Sequence, residues 1–176
     1  MFLHTPGDLM LEPMGSMKHR VGVISDTHGL LRPEALKALQ GSERLIHAGD
    51  VGSAQIIEQL SAIAPVTVVR GNNDKGAWAE KLPQSDVLEI AGASIYVLHE
   101  VGMLEIEPAA AGLSVVVSGH SHKPSMERRA GILYVNPGSA GPRRFKLPVT
   151  VAQILIDDGK ISARILDLTV IHRDNR

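Results

Sequence analysis

Val21-Gly22-Val23-Ile24-Ser25-Asp26-Thr27-His28-Gly29 is the stretch from which the rest of this chain is read. A short run of apolar, mostly β-branched residues reads as a buried strand. This one stops at a carboxylate and an imidazole two positions apart. The same grammar returns at Leu45-Ile46-His47-Ala48-Gly49-Asp50, at Thr67-Val68-Val69-Arg70-Gly71-Asn72-Asn73-Asp74, at Tyr96-Val97-Leu98-His99 and at Val115-Val116-Val117-Ser118-Gly119-His120-Ser121-His122. Each time an aliphatic run ends in side chains that can bind a cation.

Between these runs lie helices. Pro33 opens a segment to Leu39 with Ala35, Leu36 and Leu39 at helical spacing, and proline suits a first helical turn. Ser53 to Ile63 carries Ile56, Ile57, Leu60 and Ile63 on one face, with Ser53 as the expected N-cap. With Pro65 to Val69 as a third strand, the first half reads as βαβαβ, which implies a parallel sheet. The second half reads as hairpins. Val87 to Ile90 and Ser94 to Leu98 flank Ala91-Gly92-Ala93, and Val149 to Ile156 and Ile161 to Leu168 flank Asp157-Asp158-Gly159. Leu113 to Val117 and Ile132 to Val135 supply further strands. The fold expected is α/β, a four-layer α/β/β/α sandwich of two mixed sheets flanked by helices.

Composition narrows the function. Charged residues number 18 basic against 19 acidic, so there is no electrostatic case for a long nucleic acid partner. No cysteine is present, which rules out disulfides and thiolate ligands and fits a cytoplasmic location. No apolar run approaches a membrane span. Residues 1–17 lack a basic start and a clean apolar stretch, and read as a loose tail or a mis-called start; residues 18–176 read as a single domain.

Taken singly, each polar cluster has an ordinary explanation. Asp26-Thr27-His28 also reads as a helix cap and turn, Asp50 as a cap for the following helix, Asn72 as a turn residue bonding its own backbone. His99 alone reads as structural. Gly119-His120-Ser121-His122 is the strongest single signal, because two imidazoles flanking one residue can reach different ions. Taken jointly, seven donors at five strand ends, in a chain with 8 histidines, point to a two-metal site of the kind that cleaves bonds to phosphorus. His4, His19 and His172 read as solvated, and His47 as a buried imidazole held by the protein.

The order D-x-H, G-D, G-N-x-D, a lone His and G-H-x-H resembles the calcineurin-like metallophosphoesterase superfamily, and more closely its YfcE-type phosphodiesterases, over about Val21 to Leu168. Asn136-Pro137-Gly138-Ser139 with Pro142-Arg143-Arg144 is similar to that subfamily as well. The resemblance implies Asp26, His28 and His122 on one ion, Asn72, His99 and His120 on a second, and Asp50 bridging both. It implies Asp50, Asn72 and His99 at the catalytic core, and hydrolysis of small or nucleotide-like phosphodiesters by a metal-bridging hydroxide. Mixed oxygen and nitrogen donors suit Mn²⁺, Fe²⁺ or Zn²⁺, and the resemblance points to Mn²⁺ and, by analogy, to a homodimer. Asn73 stands where many superfamily members carry a histidine, so no general acid is expected there. Asn73, Asn136 and Arg143 are expected on the substrate side, with Ser139 beside Asn136, although a turn made by Pro137-Gly138 explains Asn136, Ser139 and Arg143 at least as well; Asp74 is expected as an organiser of its turn. A metal-binding interaction scaffold is the competing reading, because the retromer subunit resembles this family; it predicts eroded ligands, and none is eroded here. A metal-dependent amidohydrolase ranks last, since it would place H-x-H on the first strand.

Overall fold

Strand β1 (Lys18–Ile24) lies at the centre of the first sheet. The computed structural model describes residues 18–171; the expected tail at 1–17, His4 and His172 lie outside the described residues. From β1 the chain runs through α1 (Pro33–Leu39), β2 (Arg44–His47), α2 (Ala54–Ser61) and β3 (Val66–Val68). The three strands pair in parallel, with Val23 opposite Ile46 and Ile46 opposite Thr67. Pro33 lies in the first turn of α1 as expected. Ser53 occupies the N-cap of α2, but its hydroxyl makes no capping bond.

The second sheet comprises β4 (Ser85–Ile90), β5 (Ala93–Leu98), β6 (Val115–Val117), β7 (Ser125–Arg129) and β8 (Ile132–Asn136), in the order β4-β5-β6-β8-β7. Its centre, β5-β6-β8, is parallel, so the second half is less hairpin-like than its sequence implies. Strand β7 has no apolar alternation; all five residues are exposed on the sheet edge, which removes the signal by which a strand is read.

The last hairpin, β9 (Thr150–Asp157) and β10 (Lys160–Asp167), leaves the second sheet and joins the first, giving β10-β9-β1-β2-β3. Burial explains the placement. Val151 of β9 packs on the helical side, while Ala152, Ile154 and Ile156 enter the layer between the sheets. A strand apolar on both faces belongs inside a sheet rather than at its edge. The described residues end in one helical turn, α3 (Leu168–Ile171).

Two apolar layers result. Val21, Val23, Ile46, Ile95, Val97, Val115, Val117 and Ile154 fill the space between the sheets. Ile24, Leu45 and Val68 pack outward against Ala35, Leu39, Ile56 and Leu60 of α1 and α2. Each such side chain fully buried contributes about 1.5–3 kcal/mol. The outer face of the second sheet is covered more thinly, by Leu104 from the segment after a 3₁₀ turn at Val101–Met103, packed near Leu98, Val116 and Ile132.

Candidate metal centre

The loops that follow β1, β2, β3, β5 and β6 carry all seven expected ligands, so four arrive from one sheet and three from the other. This is the carboxyl edge of parallel strands, where the chain leaves the ladder and its side chains are free to converge.

Asp26, His28 and His122 form one cluster, with ligand atoms within 4.8 Å of one another. The Nε2 atoms of His28 and His122 are 3.3 Å apart. His122 Nε2 lies 3.2 Å from Asp26 Oδ1, and His28 Nε2 lies 3.8 Å from it. Asp26 Oδ1 is buried without a hydrogen-bond donor. A buried carboxylate oxygen left bare against two imidazole nitrogens is costly without a cation.

Asp50, Asn72, His99 and His120 form the other half. Asn72 Oδ1 lies 2.9 Å from His99 Nε2 and 3.1 Å from His120 Nδ1. His99 Nδ1 donates to the Ala48 carbonyl at 2.7 Å, which fixes the ring with Nε2 toward the centre. Asp50 Oδ2 sits between the halves, 3.5 Å from His99 Nε2 and 3.8 Å from His28 Nε2. Asp26 also converges with Asp50 and His99 within 4.8 Å, so both carboxylates face the shared middle. Oxygen and nitrogen atoms able to act as ligands, crowded together, fit divalent cations.

The backbone is unusual here. Among the described residues, nine non-glycine residues have positive φ, and five of them are Asp26, His28, Asp50, His120 and His122. The left-handed region costs an L-residue about 1–2 kcal/mol. Strain gathered on donor residues marks a site held for function. Close approach needs glycine beside them: a Cβ on Gly71 would lie 2.0 Å from Asp50 N, and one on Gly119 would lie 2.0 Å from Ser25 Oγ.

Supporting residues lock the loops. Asn73 donates from its backbone to Asp50 Oδ1 (2.8 Å) and from Nδ2 to Asp50 Oδ2 (2.7 Å), so its amide clamps that carboxylate. Asn136 is buried and donates to Gly119 O (2.7 Å) and Ser121 Oγ (3.2 Å) while accepting from Gly138 N (2.9 Å). With its amide spent inside the protein, it positions the His120–His122 loop. Ser139 likewise donates to Asp26 O at 3.0 Å. Arg143 donates to Leu147 O within its own loop, and the guanidinium brought to the centre is that of Arg144, with Nη2 3.5 Å from His28 Nε2. Asp74 acts as expected, accepting from Gly52 N (2.9 Å) and Gly71 N (2.8 Å) and so tying two ligand loops together. Ser25, which sequence reasoning passed over, donates to Asp26 Oδ2 at 2.6 Å; its only sequence signal was adjacency to Asp26.

Outside the centre, His47 is fully buried beside Thr27 Oγ1 (2.8 Å from Nε2), as its strand position implied. His19, expected to be solvated, is instead held in β1 with Nδ1 2.9 Å from Glu43 Oε2.

Electrostatics separate the two carboxylates. Burial pushes the Asp26 carboxyl above its ordinary pKa, against the Ser25 hydrogen bond and the nearby imidazoles. Burial also acts on Asp50, but hydrogen bonds from His99 and Asn73 hold it well below the usual carboxylate range. For His99, burial is outweighed by Asp50 and the Ala48 carbonyl, and its pKa is raised. Burial lowers that of His122.

The sequence profile of the calcineurin-like phosphoesterase superfamily domain matches residues 19–159. The chain belongs to that superfamily and is a metal-binding phosphoesterase-family protein. It is 34% identical to a probable metallophosphoesterase of Methanothermobacter thermautotrophicus, across 83% of this chain and 91% of that one. It is 27% identical to a phosphodiesterase of Methanocaldococcus jannaschii, across 68% of this chain and 82% of that one. The fold is shared with vacuolar protein sorting 29 of Cryptosporidium parvum, at a TM-score of 0.68 and 20% identity, covering 85% of this chain and 97% of that one. Among the described residues, no helix is long and apolar enough to cross a membrane.

Proposed function

We propose that this protein is a cytoplasmic, dinuclear metal-dependent phosphodiesterase acting on small or nucleotide-like diesters. The observation that carries the reading is the pairing of donor and strain: all seven donors are retained, and five of them sit in left-handed backbone. A protein that kept this fold for contacts alone, with no metal to hold, would have no use for that cost. The phosphodiesterase among its relatives supports diesters as the substrate class.

On this reading Asp26, His28 and His122 hold one divalent cation, Asn72, His99 and His120 a second, and Asp50 both. Bound there, the cations lower the pKa of a coordinated water and offset charge on the phosphoryl oxygens. Oxygen and nitrogen donors without sulfur suit Mn²⁺, with Fe²⁺ and Zn²⁺ as competitors. His99 keeps its lone pair on the centre through its bond to Ala48 O. Asn73 keeps both Asp50 oxygens in place. Arg144, beside His28, is placed to meet a non-bridging phosphate oxygen. With Asn73 committed to Asp50, that position offers the leaving group no proton, which favours diesters with good leaving groups.

The test is hydrolysis of bis-p-nitrophenyl phosphate by metal-stripped protein titrated with Mn²⁺, alongside Asp50→Asn. Expected is metal-dependent turnover that falls by about 10²–10³-fold in the variant. Two ions bound per chain without turnover would favour the scaffold reading, and failure to bind metal would overturn both.

A further inference from the structure

A groove of about 560 Å³ opens from the Asn72–His99 side of the centre. Tyr96, Leu98, Met103 and Ile106 supply its apolar surface, and Glu100 and Glu105 its carboxylates. Met103 is 67% exposed and Ile106 39% exposed, a large apolar area to leave open to water beside a reacting centre. The groove is continuous with the centre, because Glu100 Oε2 lies 3.9 Å from His120 Nε2.

Its charge contrasts with the opposite rim. Beyond His28 the loop carries Arg143, Arg144 and Lys146, and Arg144 reaches the centre. On the groove side the carboxylates outnumber the cations; the one cation in the lining, Arg70, donates from Nε to the Asp74 carbonyl at 3.2 Å. A second phosphate or other anion placed in the groove would meet like charge. A flat ring would lie well against Met103, whose polarizable sulfur favours aromatic faces, and ring N–H groups would meet carboxylate acceptors. The volume lies within the range of small-molecule pockets and admits a nucleoside.

We propose that this groove is the subsite for one ester arm of the substrate, and that it selects an uncharged, nucleoside-sized arm whose base offers N–H groups to Glu100 and Glu105. The proposal rests on the phosphodiesterase reading and gives it a direction: the nucleoside arm lies toward Met103, the phosphate toward Arg144.

Calorimetric binding to the Mn²⁺-loaded protein tests it, comparing guanosine 5′-monophosphate with ribose 5-phosphate, which lacks only the base. The base is expected to tighten binding at least about tenfold. Met103→Ala and Glu105→Gln, both at exposed positions, are each expected to lower that affinity ratio about tenfold. Equal affinities in the unaltered protein, or a ratio that neither variant moves, would overturn the proposal. Hydrolysis of bis-p-nitrophenyl phosphate, measured on the same preparation, keeps the two readings apart. A base preference without hydrolysis supports the groove and sinks the phosphodiesterase, whereas hydrolysis without a base preference sinks the groove alone.

Discussion

In the half of the centre built from Asp26, His28 and His122, one carboxylate oxygen faces two imidazole nitrogens without a hydrogen bond, whereas the carboxylate of the Asp50–His99 half is bonded at both oxygens. Asp26 Oδ1 and His122 Nδ1 are buried without partners. Asp50 accepts twice from Asn73, and His99 is anchored on Ala48 O. Both halves use the same donor chemistry, so the difference lies in the surroundings. Asp50 is preorganised through both oxygens; Asp26 is held through Oδ2 by Ser25 and His120 N while Oδ1 is left at an electrostatic cost that a cation would remove.

The largest contrast is expected from the two carboxylates in metal-free protein. Asp26→Asn places an amide that can donate toward His122 and removes a buried charge, so unfolding free energy should rise by roughly 1–3 kcal/mol. Asp50→Asn sets an amide against the donors of Asn73, and should lower it by about 1–3 kcal/mol. Denaturant melts at pH 7 read both, and a shared sign would break the comparison. The pH dependence has opposite senses too. The folded pKa of Asp26 lies above its ordinary 3.8, so its penalty is present at neutral pH and is relieved as pH falls through the raised value. The folded pKa of Asp50 lies below 3.8, so its contribution is present above that value and is lost as pH falls toward the depressed one.

Next in size are the residues that hold the ligands. Asn73→Ala should weaken metal binding by about 10–100-fold, because Asp50 loses its clamp. Ser25→Ala should cost less, about tenfold, since Asp26 Oδ2 keeps the His120 backbone N–H at 3.1 Å. Titrations followed by calorimetry order the pair, and a larger loss for Ser25→Ala would reverse which half depends on its supports.

The smallest effect on the centre should come from His47, whose burial lowers its pKa to about 3. As pH falls below 6.5, the unfolded chain takes up a proton that the folded one refuses, so stability falls by up to about 1.4 kcal/mol per pH unit. His47→Gln should flatten that slope while metal affinity stays unchanged. A drop in affinity would assign His47 a place in the centre that its contact with Thr27 does not suggest.

Much of this was legible in the chain. The aliphatic runs before Asp26, Asp50, Asn72, His99 and His120 announce both the strands and where they end, since β-branched patterning and its interruption are local properties. Strand β7 was not legible, because an exposed edge strand carries no apolar pattern. Nor was the choice between Arg143 and Arg144: neighbours in a turn point in different directions, and only the path of the loop selects one. Asn73 and Asn136 look like substrate contacts in sequence because an amide suits either task. Their partners, Asp50 and Gly119, lie 23 and 17 residues away.

By itself, then, the sequence determined the donor set, the strand ends that carry it and the superfamily those motifs match, all of which follow from residue type and short-range periodicity. Only the tertiary structure decided that the last hairpin returns to β1, that Asp50 is clamped at both oxygens while Asp26 keeps Oδ1 bare, and that an acidic groove faces a basic rim. Those features depend on contacts between residues far apart in the chain, such as the 94 positions separating Asp26 from His120. Such distances are set when two sheets bury their faces against each other, and no local pattern encodes them.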